Sequence, residues 1–235
     1  MLDLSGRVAI ITGATGILGQ ACAQAFGAAR AHCVLVGGSA DKLAALYRAD
    51  ANRLLAGGFD LALEADASRL VDMTLKQFGR IDILVNTVGG FAGGRKVHED
   101  DLATWDAMHR INLRTTLNAC RAVVPHFVRQ GSGRIVNVAA RAGLSGVAGL
   151  GAYGASKSAV IYLTQTLAAE LKENGIGVNC VLPGTIDTPQ NRRDMPNADF
   201  TKWVAPAAIA DVMLFLASDA ARAVSGAAVP VYGRS

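Results

Sequence analysis

Val8-Ala9-Ile10-Ile11-Thr12, a short run of aliphatic and β-branched residues, passes directly into Gly13-Ala14-Thr15-Gly16-Ile17-Leu18-Gly19 and then into an alanine-rich stretch from Gln20 to Ala29. A strand that enters a helix through a glycine turn starts a crossover, and crossovers of this length join parallel strands. The pattern recurs along the chain. Cys33–Val36 reads as a second strand, Ser39 as the cap of a helix reaching Leu46, and Leu61–Leu63 as a third strand ending near Asp66. Ile81–Val85, Arg134–Val138, Val178–Leu182 and Val229–Val231 supply further strands, with helices near Leu102–Asn118, continuing to Arg129, and over Tyr153–Lys172. Strands so uniformly apolar are buried on both faces, which predicts an α/β fold: a doubly wound parallel sheet flanked by helices. No repeat or linker interrupts it, so residues 1–235 read as one domain with a loop near 185–205.

The first turn carries a binding expectation. Glycines at positions 13, 16 and 19 permit positive φ and a close approach of backbone to ligand. The helix that follows offers unpaired N–H groups and a partial positive charge, which together suit a pyrophosphate. In a strand–turn–helix setting this is the dinucleotide-binding turn of a Rossmann fold, with Gly13, Thr15, Gly16, Ile17, Leu18 and Gly19 beside the phosphates.

Composition removes several other classes. Hydrophobic residues make up 51% of the chain and charged residues 18%, a balance that excludes a disordered chain. The net charge of +4 is scattered with no basic run, so nucleic acid is not an expected partner. Cys22, Cys33, Cys120 and Cys180 are widely spaced, and His32, His98, His109 and His126 form no HxxxH or HExxH pattern, so no metal site is expected. The cysteines read as small buried hydrophobes of a reducing compartment, with no nearby base to make Cys120 or Cys180 a nucleophile. No signal-like segment opens the sequence and no apolar run is long enough to span a bilayer; the expectation is a cytoplasmic protein without a membrane partner.

Tyr153 and Lys157 stand four apart in Tyr153-Gly154-Ala155-Ser156-Lys157, a spacing that puts them on one face of a helix. An ammonium in that position favours the phenolate, so the lysine is expected to depress the tyrosine pKa and make the phenol a usable proton donor or acceptor near neutral pH.

In order and spacing these features resemble the short-chain dehydrogenase/reductase family over essentially the whole chain. Leu4-Ser5-Gly6-Arg7-Val8-Ala9 is similar to the family's entry, and Asn86-Thr87-Val88-Gly89 stands where the family has Asn-Asn-Ala-Gly. Asn112, in Ile111-Asn112-Leu113, matches the helix asparagine that holds a water of the proton relay. Pro183-Gly184, with Ile186 and Thr188 following, matches the segment that closes over the nicotinamide. Phe215-Leu216-Ala217-Ser218-Asp219 through Ser225-Gly226 follows the family's ending. The resemblance implies Tyr153, Lys157 and Asn112 as catalytic residues, with Tyr153 and Lys157 also touching the coenzyme. It further implies Ser39, Asp66, Ala67, Asn86, Val88 and Gly89 along the coenzyme, Asp66 at the adenine, a small-molecule substrate, and a homodimer or homotetramer.

Two positions depart from the family pattern. Thr-Gly-x-x-Gly-x-x-Gly replaces Thr-Gly-x-x-x-Gly-x-Gly, with Ile17 where the middle glycine belongs. Ala140, thirteen residues before Tyr153, replaces the family's catalytic serine, a donor whose loss costs about two to three orders of magnitude when nothing substitutes for it. Ser145 is either that substitute or a loop residue. The dihydropteridine reductases of the family also lack the serine, and the segment from Asp187 to Trp203 resembles their loop through Asp-Thr-Pro-x-Asn-Arg-x-x-Met-Pro-x-Ala-Asp-Phe-x-x-Trp. That likeness points to a carbonyl or imine-like acceptor such as a quinonoid pterin, which is electron-poor without the serine's help.

No acid stands between Val36 and Asp41; Gly38 occupies the usual place, with Ser39 and Lys42 beside it. The missing acid favours NADP(H) over NAD(H), whereas the pterin-enzyme resemblance pulls toward NAD(H). The sequence therefore points to NAD(P)H-dependent reduction. A non-catalytic NAD(P)H-binding sensor or scaffold is the alternative that Ala140 keeps open.

Overall fold

Seven apolar runs line up as the strands of one parallel sheet in a computed structural model that describes residues 2–234. They are β1 (Val8–Thr12), β2 (His32–Gly37), β3 (Arg53–Gly57), β4 (Ile83–Asn86), β5 (Gly133–Val138), β6 (Ile176–Pro183) and β7 (Ala228–Val231), in the spatial order β3-β2-β1-β4-β5-β6-β7. The helices between them are α1 (Ile17–Ala28), α2 (Ala40–Leu46), α3 (Glu64–Phe78), α4 (Leu102–Met108), α5 (Thr115–Gln130), α6 (Gly151–Leu171), α7 (Pro189–Asp194) and α8 (Pro206–Ala217). Alternate residues of each strand feed two cores. Ala9, Ile11, Val85, Val136 and Val181 pack with Phe26 of α1 and Ile209 and Met213 of α8. Val8, Ile10, Leu84, Ile135 and Val178 pack with Leu70 of α3, Val123 and Phe127 of α5 and Leu171 of α6. Both faces of the sheet are covered, as continuous apolar strands require. Among the described residues no helix is long and apolar enough to cross a membrane.

The third strand is Arg53–Gly57, not Leu61–Leu63. It pairs with β2 from Cys33↔Arg53 to Gly37↔Gly57 and lies at the sheet edge, so most of its residues are only half-buried and its pattern is diluted by polar neighbours. Leu61 and Ala62 are buried because they seal the entry to α3, and burial there needs no strand. The long helix after Leu102 also differs from a simple rod: one π-helical turn, His109–Arg114, separates α4 from α5. An extra residue in the turn re-aims the side chains around it, and Asn112 is left inside with 1% of its surface exposed.

Helix α1 begins at Ile17, three residues earlier than the alanine-rich run suggests, with Gly16 as its cap. The glycine spacing of this turn has a steric explanation. Gly13 holds φ +66, and a Cβ there would lie 2.9 Å from Thr87 Oγ1. A Cβ on Gly19 would lie 2.2 Å from the Gly13 carbonyl oxygen, so α1 rests on the turn only through a bare backbone. Ile17, where the family's middle glycine would be, is 44% exposed and meets no such barrier. Gly27, late in the same helix, faces open space: a Cβ there would have no neighbour within 4 Å. In chemical denaturation Gly19→Ala is expected to lose about 2 kcal/mol or more through overpacking, while Gly27→Ala gains about 0.5–1 kcal/mol from helix propensity. Equal effects of the two changes would contradict this reading of the turn.

Candidate active site

Strand order reverses between β1 and β4, and the carboxyl ends of those strands open into a cleft of about 430 Å³. A parallel sheet leaves such a crevice where successive crossovers depart to opposite faces. Gly13, Thr15 and Gly16 form its floor, Val88 and Gly89 one wall, and Gly37, Gly38, Asp60 and Leu61 the far end. The bare backbone of the first turn and the start of α1 are built to receive a phosphate, so the cleft fits a dinucleotide.

The structure brings five of the expected coenzyme residues to the lining of this cleft and places the others around or away from it. Gly13, Thr15, Gly16, Val88 and Gly89 line it, and Ile17 and Leu18 open the first turn of α1. Gly19 lies behind the turn as a packing contact, and Asn86 lies beneath the floor with 3% exposure. The Ser39 hydroxyl accepts the Lys42 N–H and caps α2. Asp66 and Ala67 sit in the first turn of α3 rather than at the end of a strand: Ala67 is buried in the core, and Asp66 Oδ2 accepts the Asp60 N–H at 2.7 Å. Asp60 and Leu61 hold the place on the cleft that the family pattern assigns to Asp66 and Ala67. The displaced third strand accounts for the offset, and the Gly57-Gly58 turn after Leu54-Leu55-Ala56 is the signal that would locate them. Pro183 and Gly184 stand at the end of β6, where the Gly184 N–H donates to the Val231 carbonyl. Ile186 pairs with Val204, and the Thr188 hydroxyl accepts the Asn191 N–H to cap α7.

A row of polar side chains crosses the sheet just below the cleft. Thr12, Asn86, Asn137 and Cys180 occupy matching register positions on β1, β4, β5 and β6. Thr12 Oγ1 donates to Asn86 Oδ1 at 3.4 Å, Asn86 Nδ2 to Asn137 Oδ1 at 2.9 Å, and Asn137 Nδ2 to Thr164 Oγ1 of α6 at 3.0 Å. Thr12, Asn137, Thr164 and Cys180 are fully buried, where an unmade hydrogen bond costs about 1–3 kcal/mol, so the row ties α6 to the strands in one register.

Tyr153 and Lys157 project from α6 next to this row. Lys157 Nζ donates to the carbonyl of Val138, the residue after Asn137, at 2.9 Å. Burial lowers the ammonium from the usual 10.5 to about 8. Burial also pushes the Tyr153 phenol up to about 12, the reverse of the depression expected from a neighbouring lysine. The ring of Phe91 meets it edge to face, with centroids 4.9 Å apart. Asn112 is held on three sides: Oδ1 accepts the Gly90 N–H at 2.9 Å, and Nδ2 donates to the Gly90 carbonyl and to Ser156 Oγ. Gly89 joins the two regions, since a Cβ there would lie 3.0 Å from Asn112 Oδ1 and 3.2 Å from Lys157 Nζ. Sequence reasoning does not single out Ser156 or the Val138 carbonyl; the serine directly before Lys157 is the available signal for the first.

Ala140 is 7% exposed and opens the short turn Arg141–Gly143. Ser145 is exposed and lines a separate groove with Leu144, Gly154 and Ser158 on another face of α6. The loop after β6 is folded against itself: Arg192 forks onto Asp187 at 2.6 and 2.8 Å and covers the Phe200 ring, which packs on Trp203 at 4.7 Å. The cysteines are buried, and burial raises Cys120 to about 12 and Cys180 to about 11, far from a nucleophile's range.

A family model described as short chain dehydrogenase matches residues 7–199. The chain belongs to the short-chain dehydrogenase family. It is similar to a 2-(R)-hydroxypropyl-CoM dehydrogenase of Xanthobacter autotrophicus, 37% identical over 97% of each chain. It is equally similar to the BbsD subunit of a hydroxy(phenyl)methylsuccinyl-CoA dehydrogenase of Thauera aromatica, at 37% over 99% of this chain and 97% of that one. Among solved structures, a levodione reductase superposes with a TM-score of 0.91 at 31% identity, covering 98% of both chains. This short-chain dehydrogenase is therefore an NAD(P)-dependent oxidoreductase acting on a small molecule.

The buried lysine makes stability depend on pH. Its folded value of about 8 lies below the ordinary 10.5, so between these values the unfolded chain binds more protons and stability rises with pH. Below about 8 the full cost of burying the ammonium is present, on the order of 3 kcal/mol. In urea titrations the stability of Lys157→Met relative to wild type is expected to be highest near pH 7 and to shrink by about that amount as pH rises to 10.5. A constant difference would mean that Lys157 is not buried as a cation.

Proposed function

We propose that this short-chain dehydrogenase reduces a carbonyl or imine-like acceptor with NAD(P)H, using Tyr153 as the proton donor. The observation that carries the reading is Gly89: it lines the coenzyme cleft and lies against both Asn112 Oδ1 and Lys157 Nζ, so coenzyme site and proton-handling groups share one wall. A bound nicotinamide coenzyme supplies the hydride. Tyr153, raised to about 12, stays protonated throughout the neutral range and is in the donor state for reduction. The Lys157 ammonium, fixed by the Val138 carbonyl, would lower the cost of the phenolate left when the proton moves and would hold the nicotinamide ribose. Asn112 keeps Gly90 in place and would help connect Lys157 to solvent, and Thr188 would orient the nicotinamide end.

The acceptor has to succeed without a hydroxyl at position 140. Two relatives are dehydrogenases named for hydroxy compounds and one structural neighbour is named as a reductase, which supports an alcohol–carbonyl pair as substrate. The loop from Asp187 to Trp203 and the alanine at position 140 together favour a quinonoid pterin as a specific acceptor. As a homodimer or homotetramer the protein associates through α5 and α6, where Tyr162 stands 74% exposed.

NADP(H) is the favoured coenzyme, because exposed Gly38 leaves the end of β2 free of negative charge. A Cβ at Gly38 would find its nearest neighbour, the Phe59 carbonyl, 3.8 Å away, so a side chain fits. Gly38→Asp is expected to raise the NADPH KM by about tenfold or more and leave NADH unchanged or improved; equal effects on both coenzymes would contradict the assignment. Tyr153→Phe is expected to lower kcat by about 10²–10⁴ with both coenzyme dissociation constants within about threefold of wild type. Retention of most of the rate would remove Tyr153 as the donor. Binding of NADH and NADPH by a wild type that reduces no ketone and no quinonoid dihydropterin would favour a sensor or scaffold.

A further inference from the structure

Phe91 has no part in the reaction described above, yet its ring meets the Tyr153 ring, at 4.9 Å and 69°. It is 68% exposed, so one side rests on the tyrosine and the other faces solvent. The segment that carries it is anchored at both ends. Asn112 holds the N–H and the carbonyl of Gly90, and beyond Phe91 the Gly94 N–H donates to the Gly149 carbonyl at 2.8 Å, next to the start of α6. The ring has room because position 93 lacks a side chain: a Cβ there would lie 3.2 Å from Phe91 Cζ and 2.5 Å from Leu150 Cδ2. The backbone is thus shaped to lay this ring on the tyrosine.

Other apolar side chains are exposed at the same end of the sheet: Val97, Leu144 and Val147, which line the separate groove beside Ser145, and Met195 after β6. An exposed aromatic ring two residues beyond Gly89 of the cleft wall offers an apolar ligand a surface to stack on.

We infer that Phe91 positions Tyr153 and forms an aromatic wall of the acceptor site, selecting a carbonyl compound whose reacting carbon bears a flat apolar group over one bearing a flexible alkyl chain. The inference rests on the reductase reading for its substrate and stands on the ring geometry for its effect on Tyr153. A flat group stacks on the open side of Phe91 while its carbonyl oxygen meets the Tyr153 hydroxyl; an alkyl chain buries comparable area without ring-to-ring complementarity.

Acetophenone and 2-octanone, matched in carbon count, separate the two cases by calorimetric binding to wild type, Phe91→Ala and Phe91→Leu, with and without NADP⁺ or NAD⁺. Loss of the ring is expected to weaken acetophenone about tenfold in both variants and 2-octanone less than about threefold, with KM values following where turnover is measurable. A second readout is the phenolate absorbance of Tyr153, taken as the difference from a Tyr153→Phe background. Its titration is expected to move down in Phe91→Ala and to stay near the wild-type position in Phe91→Leu, which keeps apolar cover without a ring. Equal weakening of both ketones, no weakening of either, or an unmoved titration in Phe91→Ala overturns the inference. Ketone selectivity in a wild type that turns over no carbonyl would defeat the reductase reading and uphold Phe91, whereas ketone turnover indifferent to both variants would do the opposite.

Discussion

Asn137 donates its side-chain amide to Thr164 of α6 while its carbonyl oxygen receives the amide of Asn86, so one buried side chain in mid-sheet is bonded toward both halves of the site. On one side the chain continues through Asn86 to Thr12, which accepts the Thr87 N–H and leads into the glycine turn. On the other, the next residue, Val138, presents the carbonyl that holds Lys157. A one-residue slip of β5 would turn Asn137 to the opposite face and leave several buried polar groups without partners. The apolar cores supply most of the stability, but they tolerate small shifts of register and rotation. The polar row does not, and it sets the coenzyme turn and the tyrosine helix at a fixed separation.

The acid–base character of the site follows from burial on that frame. Burial disfavours charge on both groups: the phenol rises to about 12 and the ammonium falls to about 8. The pair therefore rests near neutral pH with the tyrosine protonated, which suits proton donation in the reductive direction. In the proposed reduction, position 140 offers no hydroxyl to steady negative charge on the acceptor, so Tyr153 and the acceptor's own electron deficiency would carry more of the barrier. A flat conjugated acceptor would spread developing charge and would also suit the aromatic wall proposed at Phe91.

The parts of the site that are legible in the sequence are those encoded by local spacing. Gly16 and Gly19 announce the turn because each lies close to the Gly13 carbonyl, Gly13 because it holds a positive φ, and Tyr153 and Lys157 share a face because they are four apart on a helix. Ile17 departs from the family pattern without consequence for the turn, since its side chain is 44% exposed. What is not legible depends on contacts between distant segments. The edge strand β3 lacks a clean apolar pattern, so the sequence points to Leu61–Leu63 as the third strand and to Asp66 and Ala67, rather than Asp60 and Leu61, as the far end of the cleft. The direction of the Tyr153 shift is hidden for the same reason: spacing shows that a lysine is near, whereas burial is decided by the packing around α6 and the segment bearing Phe91. The π-helical turn that aims Asn112 inward leaves no periodic mark in so short a stretch.

The most direct measurement of the central claim follows a label. NADPH and NADH deuterated at the transferring carbon would be incubated with the enzyme and a panel of ketones, and the products examined by mass spectrometry; with quinonoid dihydropterin, coenzyme oxidised would be counted against tetrahydropterin formed. Deuterium on the carbinol carbon of a reduced ketone, or one coenzyme oxidised per tetrahydropterin, with the accompanying proton drawn from solvent, is the expected result for a reductase that donates through Tyr153. Tight binding of both coenzymes with no label in any product and no coenzyme oxidised would contradict it, and would leave a dinucleotide-binding protein whose Tyr153 and Lys157 serve no chemistry.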